Sequence, residues 1–237
     1  MSVGEWTHRW AEYKNIPCHY LKSVGSSNEE LKNRLEEVEM AHPLLLVTDH
    51  QTHGRGRGPH SWSDAPEGCL LSSWAWQLKL PPQHLTGPLM GLATYTACQK
   101  SWPQASWALK APNDIFIGSN KVAGLLIENI SSGPQHHLIL GLGINVLAKP
   151  AVEGAGSLRD SLPEAVDEMT WHRFLDNLLA EFNSTLSSLS AHVLSPKHRD
   201  QLLKALNAFD LLESPYTEVA NDGSLHTSKG VQLWTDL

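Results

Sequence analysis

Apolar residues recur along this chain at two periods, and the two periods sort it into strands and helices. Trp6, Trp10 and Tyr13, set among charges, predict a short amphipathic helix over the opening residues to about Asn15. A strand is expected around Cys18–Leu21. Ser27 with Glu30 three positions on matches a capping box, so a helix is predicted to start there, carrying Leu31, Leu35 and Val38 at helical spacing. Leu44-Leu45-Leu46-Val47 is a continuous apolar run, read as a buried strand that empties into the polar, Gly-rich stretch 49–68. Leu70, Ser72, Trp74, Trp76, Leu78 and Leu80 then share one face by period-two alternation until Pro81-Pro82 ends the run. That face makes either a pocket wall or plain core.

Beyond it, residues 88–102 suit a helix, and 107–110, 115–117, 122–130 and 137–146 read as strands joined by tight turns. The Gly118-Ser119-Asn120 turn suits a hairpin, which makes this part of the sheet antiparallel or mixed. Trp171, Phe174, Leu175, Leu178, Leu179, Phe182, Leu186 and Leu189 predict a long amphipathic helix. A second helix is expected over 196–208, with Pro196 where its missing N–H costs nothing. The tail 216–234, with Asn221-Asp222-Gly223 as a turn, resembles a lone β-hairpin, marginal unless it packs on something larger. There is no internal repeat, low-complexity tract or flexible linker. The expected fold is α/β (α+β): a mixed, largely antiparallel central sheet with flanking helices over residues 1–204, and a short reduced β segment over 205–237.

Composition narrows the function classes. With 18% charged residues and a net charge of −7, the chain reads as an ordinary soluble globular protein rather than a generally basic nucleic-acid binder. A positive site must be local, and the Arg55/Arg57 loop is the obvious one. Cys18, Cys69 and Cys98 fit neither a disulfide framework nor a CxxC knuckle, so reducing cytoplasm is the expected compartment. No apolar stretch suits a signal peptide or a membrane span, and the residues before Asn15 are too few for a DNA-reading domain.

His53-Gly54-Arg55-Gly56-Arg57-Gly58 offers glycines that let backbone N–H groups approach a ligand, and two guanidiniums that chelate carboxylate or phosphate. Taken alone it equally describes an RNA-binding tail or a solvated loop. Its place after a buried strand in an acidic protein favours a binding loop. His50 and His53 have a loosely metal-like spacing but no third ligand, and surface histidine is the default reading.

Four further stretches complete a family resemblance. Ser26-Ser27-Asn28 resembles the Ser-Thr-Asn signature of biotin protein ligases, and Gln51 to Trp62 resembles their Gln-x-x-Gly-Arg-Gly-Arg-x-Gly-Arg-x-Trp loop. Lys110-Ala111-Pro112-Asn113-Asp114 is similar to Lys-Trp-Pro-Asn-Asp, and Lys121 to Glu128 to Lys-x-Ala-Gly-Ile-Leu-x-Glu. Gly141 to Val146 is similar to Gly-x-Gly-Ile-Asn-Val. Five blocks in order over residues 23–147 make a specific match.

The resemblance implies a catalytic domain like that of class II aminoacyl-tRNA synthetases. It also implies a stand-alone enzyme, lacking a DNA-binding domain, that joins biotin to ATP with Mg²⁺ and passes it to a lysine of a biotin carboxyl carrier protein. Biotin would be held by Ser26, Ser27, Asn28, Gln51, Gly54, Arg55, Gly124 and Gly143. Arg57 and Lys110 would bridge biotin carboxylate and α-phosphate as the catalytic pair. Arg55, Arg57, Trp62, Asn113, Asp114 and Asn145 would serve the nucleotide, with Asp114 a candidate ligand for its Mg²⁺. Nucleic acid and membrane are not expected partners, and the chain would be a monomer or homodimer.

Each assignment has a structural rival: Ser27 as a helix cap, Asn113-Asp114 as turn chemistry, Lys110 as a solvated strand end, Trp62 as a loop anchor. The chain also departs from the family. Pro59-His60 stands where Gly-Arg is usual, Ser27 replaces threonine, Ala111 replaces tryptophan, and the tail is short for a full SH3-like barrel. A lipoyl or octanoyl transferase, and a non-catalytic biotin-binding protein, are the alternatives.

Overall fold

The two periods separate into the helices and strands of a computed structural model that describes residues 1–35, 43–132, 135–189, 193–209 and 212–234. In chain order they are α1 (Val3–Tyr13), β1 (Cys18–Leu21), α2 (Ser27–Leu35), β2 (Leu44–Thr48), β3 (Cys69–Leu78), α3 (Thr86–Ser101), β4 (Trp107–Lys110), β5 (Asp114–Ile117), β6 (Asn120–Ser132), β7 (Gln135–Asn145), α4 (Leu158–Ser161), α5 (Glu168–Leu186), α6 (Pro196–Asn207), β8 (Tyr216–Val219), β9 (Leu225–Thr227) and β10 (Gly230–Gln232). Val38, expected on α2, lies outside the described residues. Residues 1–82 with 122–175 form one unit, and 83–121 with 176–237 a second. Among the described residues no helix is long and apolar enough to cross a membrane.

In the first unit the strand order is β1-β2-β3-β7-β6, antiparallel except for the β1/β2 pair. The sheet is therefore mixed and largely antiparallel, as the turn spacing implied. Alternation gives it two unlike faces. Leu45, Val47, Leu70, Trp74, Trp76, Leu140 and Leu142 share one face, all nearly or fully buried. Trp10 of α1 meets Trp74 edge-on at 6.1 Å, and Trp74 stacks on Trp76. Trp171 of α5 donates its indole N–H to Thr7 Oγ1 at 2.9 Å. The Trp74/Trp76 face is thus core.

The opposite face carries Leu46, Ser73, Ala75, Ile139, Gly141 and Gly143, with Gly124 paired to Gly143. Leu31 of α2 packs with Leu44, Leu46, Ala75 and Ile139 at one end of it. The glycines leave the rest shallow.

α1 has a start that the hydrophobic pattern did not disclose. Ser2 Oγ accepts from Glu5 N and the Glu5 carboxylate accepts from Ser2 N, both at 3.0 Å, a reciprocal capping box. Ser2→Ala is expected to destabilise the protein by about 1 kcal/mol. Thermal unfolding should then shift down by roughly 2–4 °C; an unchanged midpoint would show α1 to be held by its buried face alone.

In the second unit, Asn177 of α5 donates to Ser101 Oγ of α3 at 2.9 Å, and Lys100 pairs with Glu181 at 2.5 Å. β4 and β5 form an antiparallel pair, with Phe116 edge-on to Phe209 at 4.7 Å. The tail corrects the hairpin reading, because β8, β9 and β10 make a three-stranded sheet. It is anchored by Trp234 Nε1 donating to Gly223 O and Leu194 N donating to Asn221 O, each at 2.7 Å, and by Asn207 bonding both backbone groups of Tyr216. A two-stranded ribbon would have lacked such support.

Candidate functional site

The glycine-floored face of the first unit is where most of the motif residues converge. Val24 bridges Gln51 in parallel fashion, with Val24 N bonded to His50 O and Thr52 N to Val24 O. This stitch carries Gln51 to the head of α2, where its Oε1 accepts from Ser27 N at 2.7 Å. The capping reading of Ser27 is corrected accordingly. α2 begins at Ser27, Glu30 N bonds Ser26 O, and an orphan amide at the helix start is taken by Gln51 instead. Ser27 Oγ lies 2.8 Å from Ser73 Oγ of β3. Ser26, Ser27 and Asn28 are all buried.

Asn28 stands over Gly141, where an added Cβ would lie 2.6 Å from its amide oxygen. Its Nδ2 donates to Glu128 Oε2 at 2.7 Å, and its Oδ1 is 2.5 Å from Ser73 Oγ. Glu128 in turn takes Lys32 Nζ at 2.8 Å and lies 3.5 Å from Arg55, while Glu29 pairs with both Lys32 and Arg55. Two cations and two carboxylates thus balance, and Arg55 is engaged by protein carboxylates.

Burial works to raise the Glu128 pKa, but hydrogen bonds from Lys32 and Asn28 outweigh it and hold the carboxyl below its usual range. A depressed folded value means that the stabilisation is complete above the ordinary carboxylate pKa of about 4.3 and is lost as pH falls through the depressed value. Glu128→Gln should therefore lose less stability than the parent between neutral pH and acid. Acid unfolding followed by tryptophan fluorescence checks this, and parallel acid limbs would remove the role.

The arginine loop is a narrow ribbon. Trp62 N bonds Gly54 O, Arg55 bridges Ser61, Gly56 N bonds His60 O and His60 N bonds Arg57 O. The turn is Arg57-Gly58-Pro59-His60, with Gly58 at φ +55°, a conformation that favours glycine. Pro59-His60, the departure from the family pattern, thus closes the ribbon. Arg57 sits at its corner, half-buried. The Trp62 ring lies on Gly143, where a Cβ would be 2.5 Å from its Cε2. His50 Nδ1 meets the Asp64 carboxylate at 3.0 Å.

Gly124 is buried in β6 opposite Gly143. Asn145 is buried, its Nδ2 donating to Gly156 O at 2.9 Å and its Oδ1 facing Cys69 Sγ at 3.5 Å. Burial pushes the Cys69 thiol up to about 11, so it is a weak donor and no nucleophile at neutral pH.

The remaining motif residues belong to the second unit. Lys110 is exposed at the end of β4, with Nζ 5.7 Å from the Phe116 ring centre and 5.5 Å from that of Phe209. Asn113 is half-buried in the turn that follows, next to Asp114, which pairs with Lys121 at 2.7 Å. Among the described residues no three His, Cys, Asp or Glu converge as a metal site. With Asp114 engaged by Lys121, this donor set does not form a protein-held Mg²⁺ site.

Ser73 and Lys32 were not singled out from the sequence, and Gly141 and Glu128 were read only as the start and the end of blocks. The signal for Ser73 was faint: a polar pair, Ser72-Ser73, inside an otherwise apolar strand.

Residues 20–145 match the model of the biotin/lipoate A/B protein ligase family. A biotin--[acetyl-CoA-carboxylase] ligase of Paracoccus denitrificans is 32% identical over 175 residues, covering 68% of this chain and 70% of that protein. One from Mycobacterium tuberculosis is 30% identical over 132 residues, 54% of this chain. The match spans 48% of the length of that relative. Among solved structures, the biotin protein ligase from Aquifex aeolicus, in complex with biotin and ATP, matches with a TM-score of 0.66 at 22% identity, covering 91% of this chain and 94% of that one.

Proposed function

The chain belongs to the biotin/lipoate A/B protein ligase family, and from that premise we propose that it is a biotin protein ligase. Biotin carboxylate oxygen attacks the α-phosphorus of ATP, the bond to pyrophosphate breaks, and biotinyl-5'-AMP forms. The neutral amine of a lysine on a biotin carboxyl carrier protein then attacks the acyl carbon. The C–O bond to AMP breaks, the lysine proton passes to water, and AMP leaves. No enzyme nucleophile is needed, so the protein acts by positioning, charge neutralisation and exclusion of water.

One observation carries the reading: the buried Ser27, Asn28 and Ser73 form a hydrogen-bonded cluster with the half-buried Gln51 beside a glycine floor, with the arginine ribbon at its edge. A ureido ring presents N–H and C=O groups that such a cluster can pair. A dithiolane or an alkyl chain presents none, and would leave polar groups unpaired. This favours biotin over lipoyl or octanoyl substrates. In this reading Arg57 and Lys110 neutralise the carboxylate and α-phosphate, Trp62 packs on the adenine, and Asn113 and Asn145 serve the nucleotide. Mg²⁺, which eases departure of pyrophosphate, would be carried by the ATP phosphates. Residues 1–204 would be the catalytic portion and 205–237 a reduced form of the family's small C-terminal domain.

The test is to combine the protein with ATP, Mg²⁺, biotin and a biotin carrier domain. Pyrophosphate release and labelling of one carrier lysine are expected. Biotin binding without pyrophosphate release would support a non-catalytic binding protein instead, and turnover of lipoate but not biotin would support the lipoyl reading.

A further inference from the structure

The two legs of the arginine ribbon are held in different ways. The incoming leg is stitched to the segment before α2, by Val24 N to His50 O at 3.1 Å, Thr52 N to Val24 O at 2.9 Å and His53 N to Gly25 O at 2.8 Å. The outgoing leg rejoins the body of the unit at Glu67, whose N bonds Asp49 O at 3.1 Å and whose O takes Val3 N at 3.0 Å. Between Trp62 and Glu67 the chain has no regular structure. Two local contacts shape it, Gly68 N to Ala65 O at 3.1 Å and Ala65 N to Cys69 Sγ at 3.5 Å. Its tie to the opposite leg is made by Asp64, whose side chain, 3% exposed, meets His50 Nδ1 at 3.0 Å. A carboxylate only accepts, so the imidazole is the donor, and a carboxylate this deep is tolerated only with such a partner. His50, by default a surface histidine, thus lies across the base of the ribbon.

We propose that Asp64 is a positioning residue for the nucleotide side of the reaction: through His50 it clamps the outgoing leg of the ribbon to the incoming one and so seats Trp62 on the glycine floor. Trp62 stands two residues before Asp64, its N bonded to Gly54 O at 2.9 Å and its ring against Gly143. The ring is therefore fixed from the tip by the ribbon ladder and from the base by the Asp64–His50 pair. The polar cluster is held by other means. Ser27 belongs to α2, and Gln51 reaches it through the Val24 stitch, neither of which involves Asp64. The two sides of the site are thus separable: releasing Asp64 frees Trp62 and leaves the cluster in place. The proposal deepens the ligase reading, in which Trp62 packs on the adenine, and rests on it. Neither His50 nor Asp64 belongs to the five sequence blocks, and they meet from 14 positions apart.

The experiment pairs calorimetric binding of biotin, without nucleotide, with the ATP kinetics of pyrophosphate release. It uses the full chain and its Asp64→Ala, His50→Asn and Trp62→Leu variants, with Asp64→Ala also placed in the Trp62→Leu background. For Asp64→Ala we expect the KM for ATP to rise about tenfold, less than the hundredfold loss of a full ångström displacement, while equilibrium biotin affinity stays at the parent level. His50→Asn keeps an N–H close to the place of Nδ1 and loses the ring. Its KM for ATP should stay near the parent value, a rescue that proton transfer by the imidazole or a ring contact with nucleotide would not allow. In the Trp62→Leu background Asp64→Ala should add little, because both changes act on one contact. If Asp64→Ala fails to fold, Asp64→Leu, which fills the space without an acceptor, takes its place with the same expectation. A parent-like KM for ATP in the Asp64 variant, equal losses of biotin affinity and ATP use, loss of ATP use in His50→Asn, or the full tenfold loss again in the Trp62→Leu background would each overturn the clamp and leave the ligase reading intact. A parent protein that releases no pyrophosphate would overturn both.

Discussion

Replacing Lys110 by alanine is expected to cut biotinyl-5'-AMP formation by roughly a hundred- to a thousandfold, the usual consequence of deleting one preorganised group that stabilises developing charge. The two reactants are both anions, and bringing a carboxylate against an α-phosphate is opposed until a cation lies between them. Lys110 is suited to that work by where it stands. It is exposed at a strand end, and its ammonium hangs over the Phe116 and Phe209 rings at 5.7 and 5.5 Å. Among the described residues, no carboxylate is recorded in an ion pair with it. The rings attract the charge without neutralising it. Ala111 stands where the family has tryptophan, and Phe209, far off in the chain, supplies an aromatic surface to this lysine. Truncation removes only an exposed cation–ring contact, about 0.5–1 kcal/mol, so the melting curve should barely move while pyrophosphate release collapses. Near-normal pyrophosphate release would show that the alignment of this lysine with the family block is mistaken. A large fall in melting temperature would show Lys110 to be structural first.

What could be read from the sequence, and what could not, follows the range of the physics involved. Alternation at Leu70, Trp74 and Trp76 exposed β3, and the spacing of Trp171, Phe174 and Phe182 exposed α5, because both signals are local. The five blocks were legible because close approach of backbone to ligand demands glycine and anion binding demands arginine or lysine within a few positions. Pairings across long separations were not legible. Glu29 and Glu128 occupy Arg55 from 26 and 73 positions away, and no local pattern predicts that. Gln51 replaced the expected Ser27 cap because a parallel bridge from Val24 brings it to the helix, and only the tertiary fold creates that bridge. Ser73 acquired its partners from strand register. The tail's third strand was missed because Trp234 and Leu194, outside the turn signal, supply the anchorage.

Gly143→Ala should lower kcat/KM for biotin and for ATP together, by about a hundredfold, in a protein that still folds. A methyl group built at Gly143 lies 2.5 Å from Trp62 Cε2, 2.6 Å from Cζ2 and 3.0 Å from Nε1, the first two closer than side chains tolerate and the third tight. One of the two elements has to give. β7 is bonded along its length to β3 on one side and β6 on the other, with Gly143 paired to Leu71 and Gly124, whereas Trp62 sits at the open end of a ribbon. The ribbon therefore moves and the strand stays. Displacing Trp62 by even 1 Å carries Arg55 and Arg57 with it, because Trp62 N is bonded to Gly54 O and Arg55 is bridged to Ser61. A misplacement of that size costs on the order of a hundredfold where catalysis is positioning. Overpacking of this kind typically costs about 1–3 kcal/mol of stability, so folding and function separate in the measurement. Trp62→Leu in the Gly143→Ala background tests the cause. If the ring clash is responsible, relieving it should leave the double variant no worse than Trp62→Leu alone. If the methyl group instead fills the floor itself, the double variant should lose a further large factor for biotin, and Gly143 would be lining the pocket rather than seating the loop.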